Sequence, residues 1–271
     1  MQIMKELDNI LVNNEQKFIL FNYGGVKMNK GMLISFEGQD ACGKSALTKK
    51  IGKHLESLGY KIKIVGEFSE SDIGKMLKKK LAEDKFLRSD KKLGFSDTMS
   101  IITDLYYLQE AEIQPALKEG YIVLKDRHID TIFACELPKV KDSYPEKTAK
   151  EIYDWLNNTS KNINQPDLTF LLTLPREVQI NRIRGRGEEV SKEDLKVFDI
   201  RDKIYKNIAN ANKGRMKIFD NSIDIDSATK KLVNEIINKY KEFSKDRVSK
   251  LNYNRSINYS KKHKLERSLS V

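Results

Sequence analysis

Cysteine is scarce in this chain: Cys42 and Cys135 are the only two among 271 residues. That excludes a disulfide-built scaffold, and with three histidines it leaves little for a structural zinc site. Five prolines and 14 glycines exclude collagen-like and low-complexity classes. No apolar run approaches the roughly 20 residues that a membrane-crossing helix needs. The longest mostly apolar stretch is Leu168 to Leu174. The first 27 residues lack a basic start, a long apolar stretch and a small-residue cleavage site, so no secretory pattern is present. A reducing cytoplasm is the expected compartment, with no membrane partner.

What is present suits a folded enzyme-sized unit. The chain is 39% hydrophobic, enough for a proper core, and 33% charged, above the usual quarter without being a disordered polyampholyte. The net charge of +11 is unevenly spread. From Lys241 to Val271 there are nine basic and three acidic residues, a net of +6. A basic tail is thus appended to a nearly ordinary domain, and the high pI is no argument for a nucleic-acid-binding fold. Three units are expected: a leader over 1–27, a catalytic domain over 28–243 and a basic, flexible tail over 244–271. Gly24-Gly25 shortly before Met28 has the coding pattern of a ribosome-binding sequence ahead of a start codon. Residues 1–27 are therefore either a gene-start artefact or a genuine extension.

From Gly31 the pattern becomes regular. Strands are expected at Met32–Phe36, Lys61–Val65, Tyr121–Leu124, Leu168–Leu174 and Met216–Phe219. Helical periodicity marks Ser45–Leu58, Ser71–Leu81, Asp97–Leu117, Ala149–Leu156, Arg176–Arg184, Leu195–Asn210 and Ser227–Phe243. Strands alternating with helices predict an α/β fold, a mostly parallel central sheet with helices on both faces.

Gly38-Gln39-Asp40-Ala41-Cys42-Gly43-Lys44-Ser45 matches G-x-x-x-x-G-K-[ST], with a strand before it and a helix after. Backbone N–H groups of such a P-loop point at phosphate oxygens, and its glycines permit close approach. Lys44 neutralises phosphate charge and the Ser45 hydroxyl ligates Mg²⁺. ATP and Mg²⁺ are the expected ligands of a P-loop NTPase fold. The apolar run Tyr121–Leu124 leads into Lys125 and the pair Asp126-Arg127. A water-activating NTPase usually carries a second carboxylate after the strand-end aspartate. An arginine in that place suits an anionic acceptor, with Asp126 catalytic and on the metal. The guanine signature Asn-Lys-x-Asp is missing. Arg182, Arg184 and Arg186, at alternate positions with Gly185 and Gly187, form an arginine-rich lid suited to migrating phosphoryl charge.

These residues together resemble the thymidylate kinase family of nucleoside monophosphate kinases. The resemblance runs from about Met32 to about Tyr240. It takes in the P-loop, Glu67 after the second strand, Ile113-Gln114-Pro115-Ala116-Leu117, Gly120 to Arg127, Pro166 to Leu172, the lid and Phe198 to Tyr205. It implies ATP- and Mg²⁺-dependent phosphate transfer to a deoxynucleoside monophosphate, usually dTMP, by a homodimer acting on small nucleotide substrates. It also implies that Asp40 holds the acceptor sugar hydroxyl, that Glu67 lies near the acceptor and that Arg127 grips the acceptor phosphate. Ala41 stands where some members carry an arginine, and lid arginines then serve instead.

Two departures stand out. Counting back from Pro115, the family's base-contacting arginine and stacking aromatic fall on Leu105 and Ile101. Tyr106 and Tyr107, next to them, are the expected substitutes, with core packing as the alternative. Glu67 is followed by Phe68-Ser69 rather than Pro-Gly. Two other readings stay open: phosphate transfer to a different small acceptor, and an ATP-binding regulatory protein that has lost acceptor recognition.

Overall fold

The structure is a computed structural model that describes residues 31–84 and 93–245. The expected leader, and the expected tail from residue 246 onward, lie outside the described residues.

Five parallel strands form one sheet in the order β2-β3-β1-β4-β5. They are β1 (Met32–Glu37), β2 (Ile62–Val65), β3 (Ile122–Asp126), β4 (Leu168–Thr173) and β5 (Met216–Asp220). A central strand of a parallel sheet is buried on both faces, and all six residues of β1 are buried. Met32, Ile34 and Phe36 pack with Leu47, Ile51 and Leu55 of α1 (Lys44–Ser57) and with Leu232 and Ile236 of the last helix, α9, at 225–245. Leu33 turns to the opposite face, beside Val123, Leu108 and Leu117.

That opposite face carries most of the other helices. They are α2 (Asp72–Glu83), α3 (Gly94–Leu108), α4 (Gln114–Glu119), α5 (Leu137–Ser143), α6 (Ala149–Ser160), α7 (Arg176–Arg184) and α8 (Lys192–Ala211). Thr148 and Ser191 open α6 and α8 with reciprocal capping boxes. The long helix expected over 97–117 is broken into α3 and α4 by one π-helical turn, Gln109–Ile113, closed by a bond from Gln114 N to Gln109 O. Pro115 explains the break: it offers no N–H, and its ring would strike the carbonyl four residues back in a regular α-helix.

β3 continues past its apolar run through Lys125 to Asp126, the expected strand-end aspartate. Helical structure over 129–143, which the sequence reading left unassigned, links β3 to α6. α9 is described to Lys245, two residues beyond the expected domain boundary. Among the described residues no helix is long and apolar enough to cross a membrane. β1, β2 and β3 point the same way, so the loops after them meet at one edge of the sheet, beside the place where the strand order reverses.

Candidate active site

The loop after β1 is built around positive φ angles. Gly38 has φ 129° and Gly43 φ 93°. A Cβ on Gly38 would stand 2.3 Å from Leu172 O, so only glycine fits there. Outside the loop, Gln179 Nε2 donates to Asp40 O (3.1 Å), Arg182 to Ala41 O (3.5 Å) and Asn221 Nδ2 to Cys42 O (2.7 Å). These bonds hold the loop's carbonyls from outside, at the N-terminus of α1, where unpaired helix N–H groups favour an anion. Lys44 Nζ curls over the loop and donates to Gly38 O (3.1 Å) and Gln39 O (2.9 Å). The Gln39 side chain leaves the cavity for Phe198 O and Asp202. Cys42 is a buried free thiol. Ala41, at φ 61°, packs against Ile183, Val197 and Phe198.

Ser45 Oγ donates to Asp126 Oδ2 at 2.5 Å. Asp126 Oδ1 is buried and accepts no hydrogen bond from any described residue. A hydroxyl and a free carboxylate oxygen side by side are hard oxygen donors, the kind Mg²⁺ takes from protein while keeping most of its water.

Arg127 follows Asp126 with φ 55°, a strained backbone that leaves the strand and sends the guanidinium across the edge of the sheet. Its NH2 donates to Asp40 Oδ1 at 2.5 Å. Its Nε lies 3.2 Å from Glu67 Oε1, an ion pair without hydrogen-bond geometry. Burial opposes the charge, but Glu67 and Asp40 outweigh it and hold the pKa well above the usual arginine value. Behind Arg127, its NH1 donates to Tyr205 Oη (3.4 Å), Tyr205 Oη meets Thr131 Oγ1 (2.8 Å), and Thr131 donates to Glu37. Glu37 also accepts from His128 N at 2.7 Å. Burial, with Asp130 beside it, pushes the Glu37 carboxyl up to about 7.

Lys125 is fully buried, and burial pulls its ammonium down to about 8. His128 lines the cavity, with Nε2 2.8 Å from Asn164 O. A carbonyl only accepts, so Nε2 carries the proton and Nδ1 is the acceptor. That atom is buried and meets no donor among the described residues. Burial, with Lys125 nearby, drives this imidazole down to about 4, so the ring is neutral at pH 7.

Beside these groups lies a cavity of about 490 Å³, the size of a small-molecule site. Asp40, Lys44, Ser45, Glu67, Arg127 and Arg186 line it, all expected from the sequence. Ile101 and Leu105 line it as well, joined by Phe68, Leu81, Ile132 and Cys135, so one end is apolar. Glu136 and Arg201 add charge at the wall.

Four expectations are corrected. Tyr106 does not line the cavity: it packs against the core, its hydroxyl donating to Thr159 O at 2.8 Å. Tyr107 is 47% exposed and also off the cavity. Each helical residue turns about 100°, so neighbours of cavity-facing Leu105 point elsewhere. Arg184 is exposed and off the cavity, and Arg182 is off it too: each stands about 100° round the helix from Ile183, which lines it. Arg182 holds the loop, donating to Ala41 O and Asn221 O. The sequence reading missed His128, Thr131, Ile132, Cys135 and Glu136. Ile129, Ile132, Phe133, Leu137 and Val140 carry a helical spacing that signals their segment.

Comparison with known proteins bears on the same residues. The family model described as thymidylate kinase matches residues 36–236. A thymidylate kinase of Sulfurihydrogenibium sp. is 27% identical over 207 residues, which cover 76% of this chain and 97% of that protein. A thymidylate kinase of Caldicellulosiruptor saccharolyticus is 29% identical over 198 residues, covering 73% and 89%. A probable thymidylate kinase of Thermococcus kodakarensis is 26% identical over 213 residues, covering 74% and 95%. The family match runs unbroken from β1 through the P-loop, the end of β3 and the lid into α9, well over half of the sequence, and the chain therefore belongs to the thymidylate kinase family.

Proposed function

We propose that the protein transfers the γ-phosphoryl group of ATP to dTMP, giving dTDP and ADP. The observation that carries this reading is the shared cavity. The donor grip (Lys44, Ser45, Asp126) and the acceptor grip (Arg127, Asp40, Glu67) stand at one sheet edge, two of them bonded to each other across it.

A phosphate monoester has a second pKa near 6, so the acceptor is a dianion at pH 7 and needs no general base. The work left is positioning and charge neutralisation. Arg127 holds the acceptor phosphate and Asp40 the sugar hydroxyl. Lys44 exchanges its bonds to Gly38 O and Gln39 O for phosphate oxygens. Arg186 faces the moving phosphoryl group from the lid, while Arg182 holds the P-loop from behind. Mg²⁺ fits at Ser45 and Asp126 Oδ1, and when bound it neutralises charge on the donor phosphates.

Homodimerisation belongs to the same proposal. α3 leaves Met99 (40% exposed) and Tyr107 on one face, eight residues apart, and α2 adds Met76. The unit proposed to carry the activity is 28–243, working in the cytoplasm.

A second reading, transfer to a different acceptor, draws on the apolar end at Ile101, Leu105 and Ile132. Coupled ADP release over a panel of nucleoside and sugar monophosphates decides between the two. Turnover of dTMP supports the first, and turnover of another acceptor alone overturns it. Bound ATP with no turnover on any acceptor points instead to a regulatory protein.

A further inference from the structure

The segment after β2 has lost the Pro-Gly pair expected of the family, and proline is what would have stiffened it. Residues 66–69 read Gly-Glu-Phe-Ser, which is free to move by composition. Yet Glu67 and Phe68 both line the cavity and must be held still to recognise anything. Two buried charges grip this segment from opposite ends. Lys125 Nζ donates to Gly66 O (2.6 Å), Glu67 O (3.1 Å) and Asp126 O (3.0 Å). An ammonium has three N–H donors, and all three are used. From α3, Asp104 Oδ2 accepts from Ser69 N at 2.9 Å, and Oδ1 accepts from the Ser69 hydroxyl. Asp104 is 1% exposed and Lys125 fully buried.

Burying an ammonium or a carboxylate is expensive unless every polar atom is matched. Lys125 meets that condition with the carbonyls of Gly66 and Glu67 and that of Asp126, and Asp104 with the backbone N–H and hydroxyl of Ser69, so the two charges hold one four-residue stretch rather than each other. Ordering a backbone residue costs conformational entropy. A segment ordered in advance does not charge that cost to the incoming acceptor.

We infer that Lys125 and Asp104 are positioning residues for acceptor recognition, a clamp that stands in for the missing proline by fixing Glu67 against Arg127 and Phe68 against the acceptor. The inference rests on the acceptor being a nucleoside monophosphate, as proposed above.

The test uses Lys125→Met and Ser69→Ala in the full chain, with dTMP as acceptor. Ser69→Ala removes one hydroxyl, keeps both buried charges and carries the test if Lys125→Met fails to fold. The KM for dTMP should rise about tenfold, while the KM for ATP and kcat at saturating dTMP stay within about threefold. Hydrogen exchange of the 66–71 amides should quicken about tenfold in both variants. A merely structural role would lower stability without separating the two KM values. Folded variants with wild-type KM for dTMP, or with both KM values raised together, overturn the inference. If the wild-type chain phosphorylates no nucleoside monophosphate, the functional reading fails. The exchange measurement still judges the clamp, and unprotected 66–71 amides in the wild type would sink it.

Discussion

The hydroxyls of Thr131 and Tyr205 lie 2.8 Å apart, and through that bond a carboxyl in the middle of the sheet, Glu37, is tied to the guanidinium of Arg127. The tie matters because Arg127 sits in a strained backbone conformation and its guanidinium otherwise meets the half-exposed carboxylates of Asp40 and Glu67. Tyr205→Phe removes the link and leaves the ring in the core. It should raise the KM for the nucleoside monophosphate roughly fivefold, about 1 kcal/mol, and leave the KM for ATP unchanged. Initial-rate kinetics with each substrate varied in turn checks this.

The lid arginines should separate cleanly. Arg186 lines the cavity and Arg184 does not. Arg186→Ala is expected to lower kcat by about 10- to 100-fold, because it removes charge aimed at the moving phosphoryl group. Arg184→Ala should stay within about twofold of wild type, as for an exposed residue without a role in the site. Equal losses in the two variants would mean that the lid closes in a different rotation.

Glu37 and His128 impose opposite pH dependences on stability. Glu37 has a folded value of about 7 against an ordinary 4.5. Between these values the folded state keeps a proton that the unfolded chain has lost, so stability falls as pH rises. His128 has a folded value of about 4 against an ordinary 6.5. There the unfolded chain takes a proton that the buried ring refuses, so stability falls as pH drops. Over pH 4.5–6.5 the two slopes oppose, and the wild type should be nearly flat. Glu37→Gln should lose stability on acidification, and His128→Gln should lose it as pH rises. Each slope is at most about 1.4 kcal/mol per pH unit. Urea midpoints across the window measure them, and two variants parallel to the wild type would refute the assignment.

How much of this was legible in the sequence depended on what kind of constraint each residue obeys. The P-loop was readable because phosphate geometry dictates glycines, a lysine and a hydroxyl at fixed spacing. The end of β3 at Asp126 was readable, but the role of Lys125 was not, because no local pattern shows that three carbonyls wait for its ammonium. The 129–143 segment has a clear apolar period, but Pro138 hid it: a proline inside such a run reads as a break, whereas here it sits in the first turn of α5. Tyr106 and Tyr107 were chosen for their chemistry against the helical phase, and the phase won.

Selectivity among bases should be modest. Where a base-reading arginine would stand, the wall is Leu105, beside Ile101 and Ile132. Shape alone in an apolar pocket discriminates by about ten- to two-hundred-fold. The preference for dTMP over dUMP and dCMP, as kcat/KM, should fall in that range. A preference beyond about ten-thousand-fold would mean that a polar group on the wall reads the base, and His128 Nδ1 would be the first to test.

The end of β3 and the residue after it send three consecutive side chains to three different destinations: Lys125 to the carbonyls of 66 and 67, Asp126 to Ser45 and Arg127 to Asp40. The strand's place is locked by pairing on both sides, Phe36 opposite Asp126 and Val65 opposite Lys125. Side chains alternate along a strand, so one inserted or deleted codon in β3 would exchange the buried ammonium and the carboxylate bonded to Ser45. The tip of the lid has no such bookkeeping: residues 184–189 are exposed, and a Cβ on Gly187 would meet nothing. Chains descended from this one can therefore lengthen or shorten at the lid while β3 keeps its residue count.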